Sequence, residues 1–239
     1  MIIDDLVLTI TRDSEVYAVH TCVFLTAVVS RDCGLASTVK DEDVPHLSQT
    51  VSDVGNLTGK TALELAEYAK SDDLLAASIG VAAINSLIIA DEKRCVEKNA
   101  YEILEERGRG KNVGVVGHFP FIPKLREVSR NLWVFEKKPR DEDLPEQDAL
   151  HILPQCDVIG ITGTTLINHT LEDLLPLCKD GFVVLIGPTT PLTPVLFDYG
   201  IDVISGTRVV DQKVVLRYIS QGANFRQIRG VKRLTMVKS

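Results

Sequence analysis

Val113-Gly114-Val115-Val116-Gly117-His118-Phe119-Pro120 reads as a short apolar strand running into a glycine turn. From there the chain alternates. Ile122 to Arg130 has helical spacing, Leu132 to Glu136 is strand-like, and a charged connection runs from Lys137 to Gln147. Val158 to Thr162 is then a strand, Leu171 to Lys179 a helix and Phe182 to Gly187 a strand. Pro194 to Tyr199, Ile201 to Ser205 and Lys213 to Ser220 continue as short helix, strand and helix. Such alternation means parallel pairing through right-handed crossovers, a doubly wound sheet. The strands are continuous apolar runs, as in a sheet covered on both faces.

Upstream the rhythm differs. Ile2 to Thr11 and Val16 to Ser30 are rich in Val, Ile, Leu and Thr, with Asp13-Ser14-Glu15 as a turn between them. Arg31-Asp32-Cys33-Gly34 turns the chain again into Leu35 to Val39, which predicts an antiparallel meander of three strands. Helices follow. Thr61-Ala62-Leu63-Glu64 has capping-box spacing. A second helix from Ser71 or Asp72 is apolar almost all round, hence buried. A third spans Asn99 to Arg107 and stops at Gly108-Arg109-Gly110. That glycine-rich stretch predicts a boundary between an α+β domain over 1–109 and an α/β domain over 110–239.

Composition limits the partners. A net charge of -7 disfavours nucleic acid, which demands a basic surface. Leu74 to Ala90, the most hydrophobic stretch, is interrupted by Ser78, Gly80, Asn85 and Ser86 and falls short of the roughly 20 apolar residues of a membrane span. Met1-Ile2-Ile3-Asp4-Asp5 lacks the basic lead of a secretory signal. The five cysteines are scattered, without a Cys-x-x-Cys pair, which suits reduced thiols in the cytoplasm and offers no thiolate metal site.

Open α/β sheets bind ligands beyond the carboxyl ends of their strands. Here those ends are Gly117-His118-Phe119-Pro120, Glu136, Thr162-Gly163-Thr164-Thr165, Gly187-Pro188-Thr189-Thr190 and Gly206-Thr207-Arg208. Gly lets backbone approach a ligand, and Thr hydroxyls with free N–H groups hold polar atoms. Each loop taken alone is equally a turn and a helix cap; together they predict a small-molecule site. Glu136 stands where dinucleotide folds place an acid on the ribose. The G-x-G-x-x-G fingerprint is absent, however, which argues against ordinary NAD binding. Gly55-Asn56-Leu57-Thr58-Gly59-Lys60-Thr61 is one residue short of a phosphate-binding loop, and Ser48 to Asp53 before it is too polar for the required strand.

Among the histidines, His20 sits in a strand, His46 and His151 adjoin prolines in polar connections, and His169 and Asn168 are both placed to cap a helix. Only His118 occupies a loop where chemistry is expected, as an acid–base group or as a structural one. Asn85 is either a satisfied core amide or a polar group aimed at the cleft.

Five segments carry a family resemblance. They are Gly34-Leu35-Ala36-Ser37, Ser78-Ile79-Gly80-Val81-Ala82-Ala83-Ile84-Asn85, Val115-Val116-Gly117-His118-Phe119-Pro120, Thr162-Gly163-Thr164-Thr165-Leu166-Ile167-Asn168 and Gly187-Pro188-Thr189. Through them the chain resembles the family labelled "putative heavy-metal chelation". The resemblance implies an enolase N-terminal-like domain followed by a Rossmann-like domain, a homodimer, and a site between the domains for a pterin-like or nucleotide-like metabolite. A metal ion as cofactor is implied only by the label. Two functional readings stand. In one, an enzyme grips a polar or heteroaromatic metabolite with its loops, Glu136 accepts hydrogen bonds from it and His118 moves protons. In the other, the protein binds a heavy metal or metal–chelator complex without catalysis. A scaffold would have no need of polar loops gathered on one sheet edge.

Overall fold

The computed structural model describes residues 1–40 and 51–238. Its first element corrects the sequence expectation: Ile2 to Leu8 form a helix, α1 (Ile2–Leu8), where a strand was expected. Aliphatic and β-branched residues favour a strand only where a pleated surface receives them. Here Ile2, Ile3 and Leu6 are buried, a helical rather than an alternating set, and Asp4 and Asp5 complement the positive end of the helix dipole. The helix is tied to the second half of the chain. Ile2 N–H donates to Glu172 Oε1 at 2.5 Å, and the Tyr199 hydroxyl donates to Asp5.

Val16 to Ser30 is likewise two strands rather than one. β1 (Ala18–Thr21) and β2 (Leu25–Val29) flank a bend closed by Cys22 N–H on the Leu25 carbonyl, and β3 (Cys33–Ser37) follows. The meander, in order β1-β2-β3 and antiparallel throughout, thus forms entirely downstream of α1. His46 and Ser48 to Thr50 lie outside the described residues.

α2 (Ala62–Ala66) has the expected capping box: Thr61 Oγ1 accepts from Glu64 N–H at 3.2 Å and Glu64 Oε2 from Thr61 N–H at 2.7 Å. Residues 51–56 form turns, not the strand a phosphate-binding loop needs. α3 (Leu74–Leu87), capped by Asp73, is buried almost throughout. It presses against β3 without a side chain between them. A Cβ on Gly34 would lie 2.0 Å from the Ala82 carbonyl oxygen, and one on Gly80 would lie 1.9 Å from Ala69 N.

The second half contributes β4 (Cys95–Val96), α4 (Ala100–Gly108), β5 (Asn112–Val116), α5 (Ile122–Val128), β6 (Asn131–Glu136) and β7 (Leu144–Pro145). There follow α6 (Ala149–Ile152), which carries His151, β8 (Val158–Thr162), α7 (Leu171–Leu174) and β9 (Phe182–Ile186). After a 3-10 helix at Pro194–Tyr199 come β10 (Val203–Val209), α8 (Gln212–Ser220) and β11 (Val231–Val237). The eight-stranded sheet has the order β4-β11-β10-β9-β8-β5-β6-β7. From β5 the chain runs outward through β6 and β7, then returns beside β5 to run the other way through β8, β9 and β10, all parallel.

The strands expected from the sequence are all parallel; two further strands extend one edge, where β11 is antiparallel to β10 and β4 to β11. The cause is where α8 hides its apolar stripe. Val215 and Ile219 pack with Leu25, Ala27, Leu35 and Cys33 of the small sheet, and with the large sheet through Val209 and Val231, at the end of β10 and the start of β11. The helix therefore cannot carry the chain back across the large sheet. It returns at the end it left, with Val231 opposite Val209.

Side chains of the central strands alternate between two apolar layers. Val158, Val184 and Ile186 meet Leu104 of α4 and Leu125 of α5 on one face. Ile159, Ile161, Val183 and Leu185 join a cluster on the other face that continues into α1, α2 and α3. One core thus spans both halves of the chain.

Two outcomes are expected. Gly34→Ala and Gly80→Ala should each lower unfolding free energy by about 1–3 kcal/mol in urea titrations, as overpacking does. Gly59→Ala, with open space around it, should not. Second, the hydrogen bond from the Tyr199 hydroxyl to Asp5, aided by burial, pushes the phenol up to about 12. The unfolded chain titrates near 10, so this contribution is complete below pH 10 and is lost as pH rises through 12. Tyr199→Phe should flatten that segment of the stability–pH curve.

Candidate functional site

β5 and β8 are neighbours whose outgoing loops leave in opposite directions along the sheet, which opens a crevice at their carboxyl ends. The β5 loop starts at Gly117, whose φ of +101° few residues other than glycine adopt. A Cβ there would also meet Thr162 Cγ2 at 3.0 Å. The next residue, His118, is held from two sides. Its backbone N–H donates to Glu136 Oε1 at 2.6 Å, and its ring Nδ1 lies 2.9 Å from Asp143 Oδ2 and 3.1 Å from Oδ1. The Asp143 side chain is 3% exposed, the imidazole 39%. Asp143 also accepts the Arg140 N–H at 3.2 Å, while its own N–H donates to the Arg140 carbonyl at 2.8 Å. A carboxylate can only accept, so Nδ1 carries a proton, and in the neutral imidazole it is Nε2 that keeps the lone pair.

His118 borders a cleft of about 830 Å³ along the ends of β5, β8, β9 and β10, closed on its far side by Phe24, Leu25 and Ser37 of the first half. One wall is aromatic: Phe119 stacks on Phe121 at 5.0 Å and 10°, and Tyr101 lies 5.7 Å from Phe121. Another wall holds Asn224, Phe225, Arg226 and Arg233, with the Arg233 guanidinium 5.4 Å from the Phe225 ring. Lys124 and Arg140 complete a set of cations; among the described residues no carboxylate lines the cleft.

Of the residues singled out by sequence, His118, Phe119, Pro120, Thr162, Gly187, Pro188, Thr189, Gly206 and Thr207 line this cleft. The others stand behind it. Glu136 is not among the lining residues, and its Oε1 accepts the His118 backbone N–H. Gly163 is backed by Thr190, with room for no side chain. Thr164 Oγ1 donates to Thr162 Oγ1 at 3.1 Å and Thr165 Oγ1 to the Thr162 carbonyl at 2.7 Å, which stiffens the turn. Asn168 Oδ1 accepts from the Thr170 hydroxyl, and His169 Nε2 lies 3.0 Å from the Ser71 carbonyl oxygen. Asn85 Nδ2 donates to the Leu35 carbonyl at 2.8 Å and the Thr189 carbonyl at 3.1 Å, a bridge between the two halves. Thr189 makes a second bridge: its hydroxyl accepts from Ser37 N–H at 2.9 Å and donates to Ser37 Oγ at 3.1 Å.

Sequence reasoning missed Asp143, Arg140 and Lys124, and it missed Arg226 and Arg233 altogether. Asp143 was hidden in a charged connection whose spacing carries no signal, and the two arginines belong to the antiparallel strand β11 and its approach, which the alternating pattern did not predict.

A metal held by the protein itself does not fit these residues. Among the described residues no group of three or more His, Cys, Asp or Glu is placed to hold an ion. Burial pushes the Cys33 and Cys178 thiols up to about 12 and that of Cys156 to about 11, away from the thiolate form that ligates metals. Nor is any described helix long and apolar enough to cross a membrane.

Fold and cleft together define a mixed α/β protein with a ligand-sized site where its two halves meet. The chain belongs to the family described as "Putative heavy-metal chelation", whose models match residues 3–88 and 99–238. It is similar to an uncharacterized protein of Methanocaldococcus jannaschii, 29% identical over 226 residues that cover 91% of this chain and 86% of the relative. A crystal structure of a DUF364-family protein of unknown function from Desulfitobacterium hafniense is 29% identical, with a TM-score of 0.84 over 99% of this chain and 98% of that one. A second, from Pyrococcus horikoshii, shares 19% identity and the fold, again with a TM-score of 0.84 over 99% and 98% of the two chains.

Because Thr189 joins the halves at the cleft floor, Thr189→Val should strand the Ser37 amide. Hydrogen exchange at Ser37 should accelerate, with global stability down by about 1–3 kcal/mol.

Proposed function

We propose that the cleft binds a small metabolite with a planar heteroaromatic ring, and that His118 moves a proton on it. The observation that carries this reading is the pairing of His118 with the buried Asp143. Such a carboxylate fixes the imidazole tautomer and offsets the imidazolium that forms when Nε2 takes a proton. The stacked Phe119 and Phe121 supply a flat apolar surface beside it, and ring-on-ring contact suits a pterin-like or nucleotide-like heterocycle. In this reading residues 1–109, enolase N-terminal-like, and 110–239, Rossmann-like, are two domains that share the cleft. The heavy-metal description of the family then applies only to a metal that arrives with its own organic chelator.

Native mass spectrometry of freshly purified protein should reveal a retained heterocyclic metabolite. Conversion of that metabolite, or exchange of its protons with deuterated solvent, should fall about 10²–10⁴-fold in His118→Ala and in Asp143→Asn. Ring binding should persist in both and weaken in Phe119→Ala. Equal rates in wild type and His118→Ala would remove the catalytic role.

A further inference from the structure

We infer that the ligand is an acid: a planar heterocycle bearing a carboxylate or phosphate, with the acidic group held by Arg226 and Arg233. This rests on the ring-binding reading above and adds its charge. The argument begins from an imbalance. The chain carries a net charge of -7, yet the cleft gathers Lys124, Arg140, Arg226 and Arg233 around one space. None of these side chains forms an ion pair with a carboxylate among the described residues, although other surface cations do, such as Lys98 with Glu106 and Lys232 with Glu97. A concave site lined by one sign of charge focuses its field and collects the opposite charge.

The arginines also have a built setting. Arg233 lies on β11 directly opposite Thr207 of β10, a hydroxyl that lines the same cleft. Its guanidinium rests over the Phe225 ring, which limits its rotamers while leaving its N–H groups to donate. Asn224 adds an amide on the same wall. β11 and β5 are four strand spacings apart in the sheet, about 19 Å. A ligand whose ring sits on Phe119 beside His118 therefore reaches the arginines only if its acidic group stands well away from the ring. An elongated heterocyclic acid satisfies both ends at once.

The test is calorimetric titration of the intact protein with pairs whose acidic member carries its charge well away from the ring: folic acid against pterin, and adenosine triphosphate against adenosine. Inorganic phosphate is the ring-free control. The acidic member of at least one pair should bind roughly tenfold or more tightly than its neutral partner, the scale of a charge-assisted contact. Raising salt should erode that advantage. Arg226→Gln and Arg233→Gln, both at exposed positions, should each cut binding of the acid by roughly tenfold and leave the neutral ring unchanged. Which pair responds separates carboxylate from phosphate. Neutral and acidic rings bound alike, or acids indifferent to both arginine variants, would overturn the inference while leaving the ring-binding reading intact. If no ring compound binds, charged or neutral, both fall. Phosphate bound through the arginines without any ring compound would overturn the ring-binding reading and, with it, the elongated acid.

Discussion

The site depends on where α8 buries its apolar stripe. Val215 and Ile219 do not lie across the middle of the large sheet, as a crossover helix does; they pack on the outer face of the small sheet, against Leu25, Ala27 and Leu35, and on the end of the large sheet at Val209 and Val231. Two consequences follow. The small sheet becomes a filled layer, with α3 on one face and α8 on the other, which is why every position of β2 is buried. And the chain must come back at the same end of β10, so β11 runs antiparallel and the segment before it, with Asn224, Phe225 and Arg226, hangs over the carboxyl ends of the parallel strands. The cleft acquires its second wall from this one choice of packing surface.

The first wall has a different origin. At the parting of β5 and β8 the backbone turns through Gly117, and the loop would be free to move were it not tethered by two carboxylates. Glu136 takes the backbone N–H of His118 and Asp143 takes its ring. One carboxylate positions the main chain and the other sets the tautomer, so the neutral imidazole presents its lone pair at Nε2. Burial of Asp143 strengthens that bond, since little water competes for the carboxylate. The seam beneath is equally polar, with Asn85 and Thr189 joining backbone and side chains of both halves.

Much of the fold was legible in the sequence where local chemistry and tertiary context agree. Val158 to Thr162 and Pro194 to Tyr199 fall where apolar runs and proline placed them, and Thr61 caps α2 through the box its spacing announces. Ile2 to Thr11 misled because aliphatic content does not distinguish a strand from a short helix when only one face is needed. The site was legible as a location, in the glycine and threonine loops at the strand ends. Its chemistry was not. Glu136 stands at the ribose position of dinucleotide folds, and nothing in its spacing shows that one of its oxygens holds the His118 backbone N–H.

By itself, then, the sequence determined the alternation of strand and helix from β5 to α8, apart from β7 and α6, and the buried character of α3. These follow from hydrophobic period, capping residues and turn chemistry, all of which act within a few residues along the chain. Only the tertiary structure decided that Asp143 meets His118, 25 residues away, or that Arg226 and Arg233 line the same cleft as Phe119 and Phe121. Those meetings are set by which surface each helix covers. That choice is made by apolar area summed over distant segments, which no local pattern encodes.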